Sequence, residues 1–306
     1  FMDLCQRNLR LWTKIALNSK EASTAVKHQG ILSLYLKHTP IDAAVMQVIP
    51  MSAPLGATIL GVDVTRLGDN QWREINHLFL QHRVLAFPQQ TLTPEQQIAF
   101  GAQWGQLVRH PYAGMKEYPG LIELKNAGKK RDVNQHWHSD MTYNLAPPKI
   151  TMLYALETPE IGGDTAFANQ VIAYNELSEG LKSSLVNMTA EHTAESLAAI
   201  YQADSSAIPQ ATHPVIRSHD ETGEKALYVC RAFTQKITGW SRNESQGLLE
   251  TLFRQSSRPE YQARHRWKQG DLIMWDNRAV IHYAVHDHGD APRLIHRLQI
   301  EGGVPE

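Results

Sequence analysis

The feature that most constrains the fold of this sequence is a succession of short apolar runs separated by glycine and proline turns. From about residue 122 onward the strand-like runs are LIEL, KITMLYAL, DTAFAN, ALYVCRAFTQKITG, GDLIMWDNRAVIHYAV and RLIHRLQIEG. Short apolar runs bounded by turn residues are typical of β-strands. Two longer patterns, VIAYNELSEGLKSSLVNM and ESQGLLETLFRQSS, predict helices inserted between the strands. This pattern favours a β-sandwich or barrel over a parallel doubly wound sheet.

The region that precedes these runs has mixed α/β character. MQVIPMSAPLGATILGVDVTRL predicts strands and turns, DNQWREINHLFLQHRV a helix, and VLAFPQ a short buried strand. Thr93 is predicted to cap a helix over TPEQQIAFGAQWG, with proline in its first turn. No linker divides the chain after residue 46, so we predict one domain over 46–306. Residues 1–45 are interpreted as an N-terminal extension, which is either a targeting segment or non-native.

Charge and cysteine content limit the classes of partner and compartment. The 306 residues contain 30 Lys and Arg against 31 Asp and Glu, so no strong field attracts nucleic acid or a membrane surface. Cys5 and Cys230 stand far apart in no metal-binding spacing, which indicates a reducing compartment. No run of about 18 apolar residues predicts a transmembrane helix. We expect a cytoplasmic protein, and the extension leaves organellar targeting open.

The stretch WHSDMTY, residues 137–143, contains the first candidate metal ligands, His138 and Asp140. Residues two apart in an extended strand project to the same face, so both side chains can reach one ion. His282, in the strand-like run WDNRAVIHYAV, is the best third candidate. Two histidines and a carboxylate with open positions suit non-haem Fe(II). His136 is a rival ligand, and an ordinary polar strand edge or a zinc site with a hydrolytic role are alternatives.

Two arginines in the last strand-like run provide a second signal. Arg293 and Arg297 are four residues apart, which places them on one face of a strand about 13 Å apart. Guanidinium groups directed into a barrel would be costly unless anions meet them, whereas an exposed edge strand would leave both in water. A dicarboxylate cosubstrate and an anionic substrate would each supply a bidentate partner.

With these residues assembled, the chain resembles the taurine dioxygenase (TauD/TfdA) family of Fe(II)- and 2-oxoglutarate-dependent dioxygenases over about residues 46–306. The resemblance is carried by LGATILGVDVTRL, WHSDMTY, APPKITMLYALETPEIGGDTAFAN, HPVIRSHDETGEKALYV, FTQKITGW, GDLIMWDNRAVIH and PRLIHRLQIEG. It implies a double-stranded β-helix (a cupin-like jelly roll) of α+β, mainly β class. It also implies that His138, Asp140 and His282 bind Fe(II), and that Arg293 and Thr165 bind the distal carboxylate of 2-oxoglutarate.

The resemblance further implies hydroxylation of a C–H bond by Fe(II), 2-oxoglutarate and O2, with release of succinate and CO2. Arg297, Asn134, Phe233 and His110 match substrate-pocket positions, although the loop YAGMKEYPGL after His110 departs from the taurine pattern. A small anionic substrate is therefore expected: a sulfonate, an alkyl sulfate ester or an aryloxyalkanoate. The alternatives are hydroxylation of an amino-acid-like metabolite and a non-catalytic jelly-roll binding module. A homo-oligomer, dimer or tetramer, is expected.

Overall fold

A computed structural model describes residues 46–110, 114–125, 135–201 and 208–306. Met46–Glu306 form a compact unit. The predicted extension, residues 1–45, lies outside the described residues, so the domain assignment stays a prediction. Within the described ranges no helix is long and apolar enough to cross a membrane.

The unit is rich in short strands, with helices before and between them. The strands are β1 (Gln47–Pro50), β2 (Ala57–Leu60), β3 (Val84–Phe87), β4 (Leu121–Lys125), β5 (Ile150–Glu157), β6 (Thr165–Asn169), β7 (Thr189–Thr193), β8 (Gln210–Pro214), β9 (Ile216–Ser218), β10 (Lys225–Leu227), β11 (Thr234–Ile237), β12 (Gln262–His265), β13 (Leu272–Asp276), β14 (Val280–Ala284) and β15 (Leu294–Ile300). The helices are α1 (Asp69–His82), α2 (Pro94–Ala102), α3 (Gln170–Asn175), α4 (Glu179–Leu185), α5 (Glu195–Tyr201) and α6 (Arg242–Ser256).

The central element is a seven-stranded sheet in the order β1-β2-β3-β13-β5-β15-β4. Its strand pairs are antiparallel except for β2 and β3, which run parallel. A three-stranded sheet in the order β12-β6-β14 packs against one face. The core between the two sheets contains Trp275 and Ile273 from the large sheet and Phe167 and Val280 from the small one. Two sheets that are antiparallel apart from the β2–β3 pair and that enclose an apolar core form the sandwich expected from the strand pattern.

Helices α1 and α2 cover the other face of the large sheet. Leu85 and Phe87 of β3 point towards these helices, whereas Val84 and Ala86 point towards the small sheet. Alternate residues of a strand project to opposite faces, so a strand that is covered on both sides is apolar throughout. This arrangement explains why VLAF is buried at every position.

Local signals place several of these elements where the sequence predicted them. The Thr93 hydroxyl accepts a hydrogen bond from the Gln96 backbone N–H at 3.3 Å, and the Gln96 side chain accepts one from the Thr93 N–H at 2.8 Å. This reciprocal pair caps α2. The run ALYVCRAFTQKITG behaves differently, because it forms two strands, β10 and β11, rather than one. The Cys230 carbonyl accepts the Thr234 N–H at 2.9 Å, which closes a turn between them.

Candidate active site

The WHSDMTY segment forms an isolated antiparallel bridge with β14. The His138 N–H donates to the His282 carbonyl at 3.0 Å, and the His282 N–H donates to the His138 carbonyl at 2.7 Å. This antiparallel bridge sets the two imidazole rings 4.0 Å apart between centroids. The segment is not a full strand, since the chain turns at Met141, where φ is +50°. The turn leaves His138 and Asp140 on the side that faces His282.

His138, Asp140 and His282 converge on one point. One ligand atom from each side chain lies within 4.8 Å of the others. Oδ1 of Asp140 is 3.7 Å from Nε2 of His138 and 3.8 Å from Nε2 of His282. All three residues are buried, with exposures of 1%, 5% and 7%. Two imidazole nitrogens and a carboxylate oxygen that are buried and face one another form a cluster of ligand atoms suited to a cation.

The protonation states of the cluster also suit a cation. Nδ1 of His138 lies 2.8 Å from the carbonyl oxygen of His136, so Nδ1 carries the proton and Nε2 keeps its lone pair. Burial, with His138 next in effect, lowers the pKa of His282 to about 3. Burial alone would raise the pKa of Asp140, but the two histidines, Arg297 and a hydrogen bond from Thr151 hold it at about 2. At neutral pH the site therefore holds a carboxylate and a neutral imidazole, the forms that bind metal.

His136, the rival ligand, occupies a different position. Its side chain is exposed, and it is not a member of the three-residue group. Its backbone carbonyl fixes the ring of His138 through the hydrogen bond described above.

Arg293 and Thr165 lie at a second corner of the site, joined by Trp267. Arg293 is 8% exposed, and its guanidinium carbon lies 5.8 Å from the centre of the Trp267 ring. The Trp267 indole N–H donates to the Thr165 hydroxyl oxygen at 3.0 Å. Burial lowers the pKa of Arg293 to about 10. Among the described residues no carboxylate pairs with Arg293, so this corner has a buried cation and a hydroxyl without an acid.

Arg297 and His110 lie nearer to the triad. Arg297 is half-buried on β15, and its Nε has no hydrogen-bond partner within the described ranges. Burial first, and then the positive charge of Arg297, lowers the pKa of His110 to about 4. Nε2 of His110 is likewise buried without a described partner. The pair offers a guanidinium and a neutral imidazole on the side of the site that faces Asp140.

Phe233 forms part of an aromatic wall beside the first histidine. Its ring meets that of His138 edge to face, with centroids 5.9 Å apart, and that of Tyr143 at 5.1 Å. The turn at Cys230 directs Phe233 inward, where it is 3% exposed. Asn134, the remaining predicted substrate contact, lies outside the described residues.

Arg278 and Asp276, in the turn between β13 and β14, serve the structure of that turn. Nε of Arg278 donates to Asp276 at 2.8 Å, and Nη1 donates both to Asp220 at 2.8 Å and to Glu221 at 2.5 Å. Nε2 of His219 lies 2.9 Å from the second oxygen of Asp276. This network, buried at Arg278, Asp276 and His219 and exposed at Asp220 and Glu221, holds the turn that leads to His282.

Four residues of the site lie outside the sequence prediction: Trp267, Thr151, Asn277 and Gln299. Thr151 and Gln299 donate to Asp140 at 2.6 and 3.1 Å, and Asn277 donates to Thr151 at 2.9 Å. One usable signal existed for Gln299, because it stands two residues after Arg297 and so shares its face of the strand. The other three resemble ordinary strand and turn residues, and only the fold reveals their role.

Comparison with known proteins identifies one family and relatives that match most of the chain. The family profile described as "Taurine catabolism dioxygenase TauD, TfdA family" matches residues 47–299. An alkylsulfatase of Acinetobacter baylyi is 33% identical over 85% of this chain and 86% of its own length. An alpha-ketoglutarate-dependent sulfate ester dioxygenase of Pseudomonas putida is 34% identical over 87% of this chain and 93% of its own.

A solved structure resembles the fold closely. The crystal structure of a taurine dioxygenase from Burkholderia xenovorans superposes with a TM-score of 0.76 and 35% sequence identity. The match covers 85% of this chain and 90% of the other. At this level of identity, the likeness concerns the sequence as well as the fold.

Proposed function

We propose that this chain, which belongs to the TauD/TfdA family of 2-oxoglutarate-dependent dioxygenases, hydroxylates the carbon that carries the anionic group of a small organic sulfate ester. The family, the jelly-roll fold and the reaction class predicted from the sequence are confirmed by these relatives. The enzyme uses Fe(II), 2-oxoglutarate and O2. The observation that supports an anionic substrate is a half-buried Arg297 beside the triad, with no acidic partner among the described residues. A sulfate ester is preferred among anions because two similar proteins are an alkylsulfatase and a sulfate ester dioxygenase.

His138, Asp140 and His282 are proposed to hold the iron. Their ionisation and the inward direction of both Nε2 atoms and of Oδ1 fit a divalent cation. Bound iron supplies the oxidative decarboxylation of 2-oxoglutarate to succinate and CO2 and the oxidation of the substrate C–H bond. The protein itself positions the two anions, excludes water and keeps His138 in the tautomer that leaves Nε2 free for the metal.

Arg293 and Thr165 are proposed to bind the distal carboxylate of 2-oxoglutarate. A buried guanidinium that has lost its hydration favours a bidentate carboxylate. The Thr165 hydroxyl already accepts the Trp267 N–H, so its own proton is available to donate to an anion. The stacking of Trp267 near Arg293 restricts where that guanidinium can point.

Arg297 and His110 are proposed to meet the anionic group of the substrate, and Phe233 its apolar part. A neutral His110 donates one hydrogen bond and adds no charge, so Arg297 supplies the charge complementarity. Asn134 is proposed to contribute a further polar contact. Hydroxylation next to the ester oxygen gives an unstable adduct, which breaks its C–O bond to release sulfate and an aldehyde.

A substrate panel tests this assignment. An alkyl sulfate, the alkyl sulfonate of equal chain length and an aryloxy acid are each incubated with Fe(II) and 2-oxoglutarate, and succinate and released sulfate are measured. We expect the alkyl sulfate to give succinate and sulfate in equal amounts and His282→Ala to give neither. Equal, substrate-independent succinate release would overturn the anionic-substrate proposal, and dominant turnover of the sulfonate or aryloxy acid would replace the sulfate ester.

Paired arginine variants locate the anion. Arg297→Met should raise the KM for the alkyl sulfate by about 30-fold or more, because a charge-assisted contact of a half-buried arginine is lost, with the KM for 2-oxoglutarate changed little. Arg266→Met, at an exposed arginine, is the control and should change neither constant. An unchanged KM for the sulfate in Arg297→Met would remove that residue from the substrate site.

A cytoplasmic location and a homo-oligomeric state are also proposed. Cys230 is a buried free thiol, which is compatible with a reducing compartment. Light scattering of the purified protein measures the oligomeric state directly.

A further inference from the structure

The two carboxylate oxygens of Asp140 have different surroundings. Oδ1 faces the two histidine Nε2 atoms and accepts no hydrogen bond from the described residues. Oδ2 accepts the Thr151 hydroxyl at 2.6 Å and the Gln299 amide at 3.1 Å. Because Asp140 is 5% exposed, water does not exchange freely with these donors. The carboxylate is therefore held in one rotational state with a single oxygen directed at the metal position.

The direction of the Thr151 hydrogen bond follows from its neighbours. A hydroxyl has one proton and two lone pairs. Nδ2 of Asn277 lies 2.9 Å from the Thr151 oxygen, and Nε2 of Gln299 lies 3.2 Å from it, and both are donors. The lone pairs are thus occupied, and the Thr151 proton can go only to Oδ2 of Asp140.

The orientation of the Asn277 amide is determined in turn by Trp275. The indole N–H of Trp275 can only donate, and it lies 2.9 Å from Oδ1 of Asn277. Oδ1 is therefore the acceptor end of the amide, and Nδ2 is the end that faces Thr151. A flipped Asn277 would place two donors against each other at Trp275 and two acceptors against the hydroxyl of Thr151.

Sheet register brings these residues together. Thr151 of β5 stands directly opposite Gln299 of β15 on one side and Trp275 of β13 on the other. Asn277 follows β13 and continues the pairing, since its N–H donates to the Lys149 carbonyl at 2.9 Å. Exposures of 0% for Thr151 and Gln299, 1% for Trp275 and 2% for Asn277 bury the whole network. The hydrogen-bond direction is built into three adjacent strands.

We propose that Trp275, Asn277, Thr151 and Gln299 form a directional hydrogen-bond chain that reserves Oδ2 of Asp140 and confines this residue to binding metal through Oδ1 alone. The inference rests on the proposed function of the triad. A carboxylate can bind a cation through one oxygen or both, and a two-oxygen mode would take a position needed by 2-oxoglutarate or O2. The four residues are positioning residues, since they act through Asp140.

Metal affinity tests the chain without turnover. Mn(II) is titrated into the metal-free, full-length protein, and free Mn(II) is measured by electron paramagnetic resonance. Loss of a hydrogen bond to a metal ligand commonly weakens metal binding about 10- to 100-fold, and we expect this for Thr151→Val. Thr151→Ser keeps the hydroxyl and should stay within about threefold of wild type, which separates hydrogen bonding from packing.

A second readout distinguishes confinement of the carboxylate from simple weakening. With saturating Mn(II), 2-oxoglutarate binding is measured by calorimetry, and Thr151→Val should bind it about tenfold more weakly than wild type, since Asp140 can then compete for a coordination position. Ser245→Ala removes another buried hydroxyl, on α6 and outside this network, and is the control. The control should keep both affinities.

The outcomes are separable. Folded Thr151→Val with wild-type affinity for both Mn(II) and 2-oxoglutarate would overturn the directional chain and leave the proposed function intact. Wild-type protein that binds no Mn(II) would instead remove the triad assignment. If Thr151→Val does not fold, Gln299→Met carries the test, because it removes the other donor to Oδ2 at similar volume. Weaker Mn(II) binding by about tenfold in Gln299→Met supports the chain, and unchanged binding contradicts it.

Discussion

Two buried arginines, Arg278 and Arg293, have opposite surroundings at nearly the same depth. Their exposures are 3% and 8%. Arg278 donates to Asp276, Asp220 and Glu221. Burial alone would lower the pKa of Arg278, but Asp276 and the neighbouring acids raise it well above its usual range. Arg293 has no described acid beside it, and burial lowers its pKa to about 10.

The presence or absence of a neighbouring acid distinguishes an arginine that is paired within the fold from one that is open to an anionic ligand. A buried cation needs an anion, and the chain supplies it for Arg278, whereas none of the described residues supplies one for Arg293. The same residue type at the same depth thus stabilises the fold in one place and weakens it in the other. A ligand that brought a carboxylate to Arg293, as proposed for 2-oxoglutarate, would recover that loss on binding.

Arg278→Met should have the largest effect, and on stability. It leaves Asp276, which is 0% exposed, with His219 as its remaining side-chain partner, and breaking a buried pair commonly costs about 3–5 kcal/mol. Urea denaturation measures the change in the free energy of unfolding. Arg231→Met, at the exposed pair with Glu250, is the control and should cost less than about 1 kcal/mol. Equal effects of the two variants would erase the distinction between buried and surface pairs.

Arg293→Met should affect ligand affinity rather than stability. We expect the free energy of unfolding to be unchanged or higher, because an unpaired buried charge is removed. Affinity for 2-oxoglutarate should fall by about 2–5 kcal/mol, the usual cost of truncating one partner of a buried charge pair. Calorimetric titration of 2-oxoglutarate into the Mn(II)-loaded variant measures this loss. A destabilised variant with normal 2-oxoglutarate affinity would place Arg293 in the same class as Arg278.

Gly163→Ala should have a smaller effect on stability and on 2-oxoglutarate binding near Arg293. Gly163 has φ +71°, and an added Cβ would lie 3.0 Å from Pro159 Cγ and 3.5 Å from Arg293 Cδ. Gly223, at φ +72°, has no atom within 4 Å of the same position. Both alanine variants should lose about 1–2 kcal/mol of stability from the left-handed conformation.

Only Gly163→Ala should also raise the KM for 2-oxoglutarate, by several-fold, because Pro159 must shift to accept the new methyl group, which also fills the space against Arg293 Cδ. Steady-state kinetics on both variants makes the comparison. Parallel changes in KM at Gly163 and Gly223 would show that backbone strain, rather than contact with the arginine, is responsible.

The sequence predicted the positions of histidine, aspartate and arginine side chains in strand-like runs better than those of common polar residues. The convergence of His138, Asp140 and His282 was predictable, because residues two apart in an extended segment share a face and a strand-like apolar run delivers His282. The roles of these residues and of Arg293 in binding metal and 2-oxoglutarate stay predictions. Thr151 and Asn277 were not predictable, because a strand threonine and a turn asparagine occur everywhere and their partners come from strands distant in sequence. The sandwich architecture followed from short strand-like runs, but the division of ALYVCRAFTQKITG into two strands depends on a turn hydrogen bond at Cys230.

The isolated bridge between His138 and His282 joins distant parts of the chain through a pair of backbone hydrogen bonds. A cation held by both side chains would act there as a clamp, and a ligand present at 100 times its Kd adds about 2.7 kcal/mol to the stability of a folded protein. A rise in Tm on adding Mn(II) to the metal-free protein would record this. In a cell short of iron, the unclamped form would be the more exposed to proteolysis. The iron concentration in the cell would then affect the amount of folded enzyme as well as its activity.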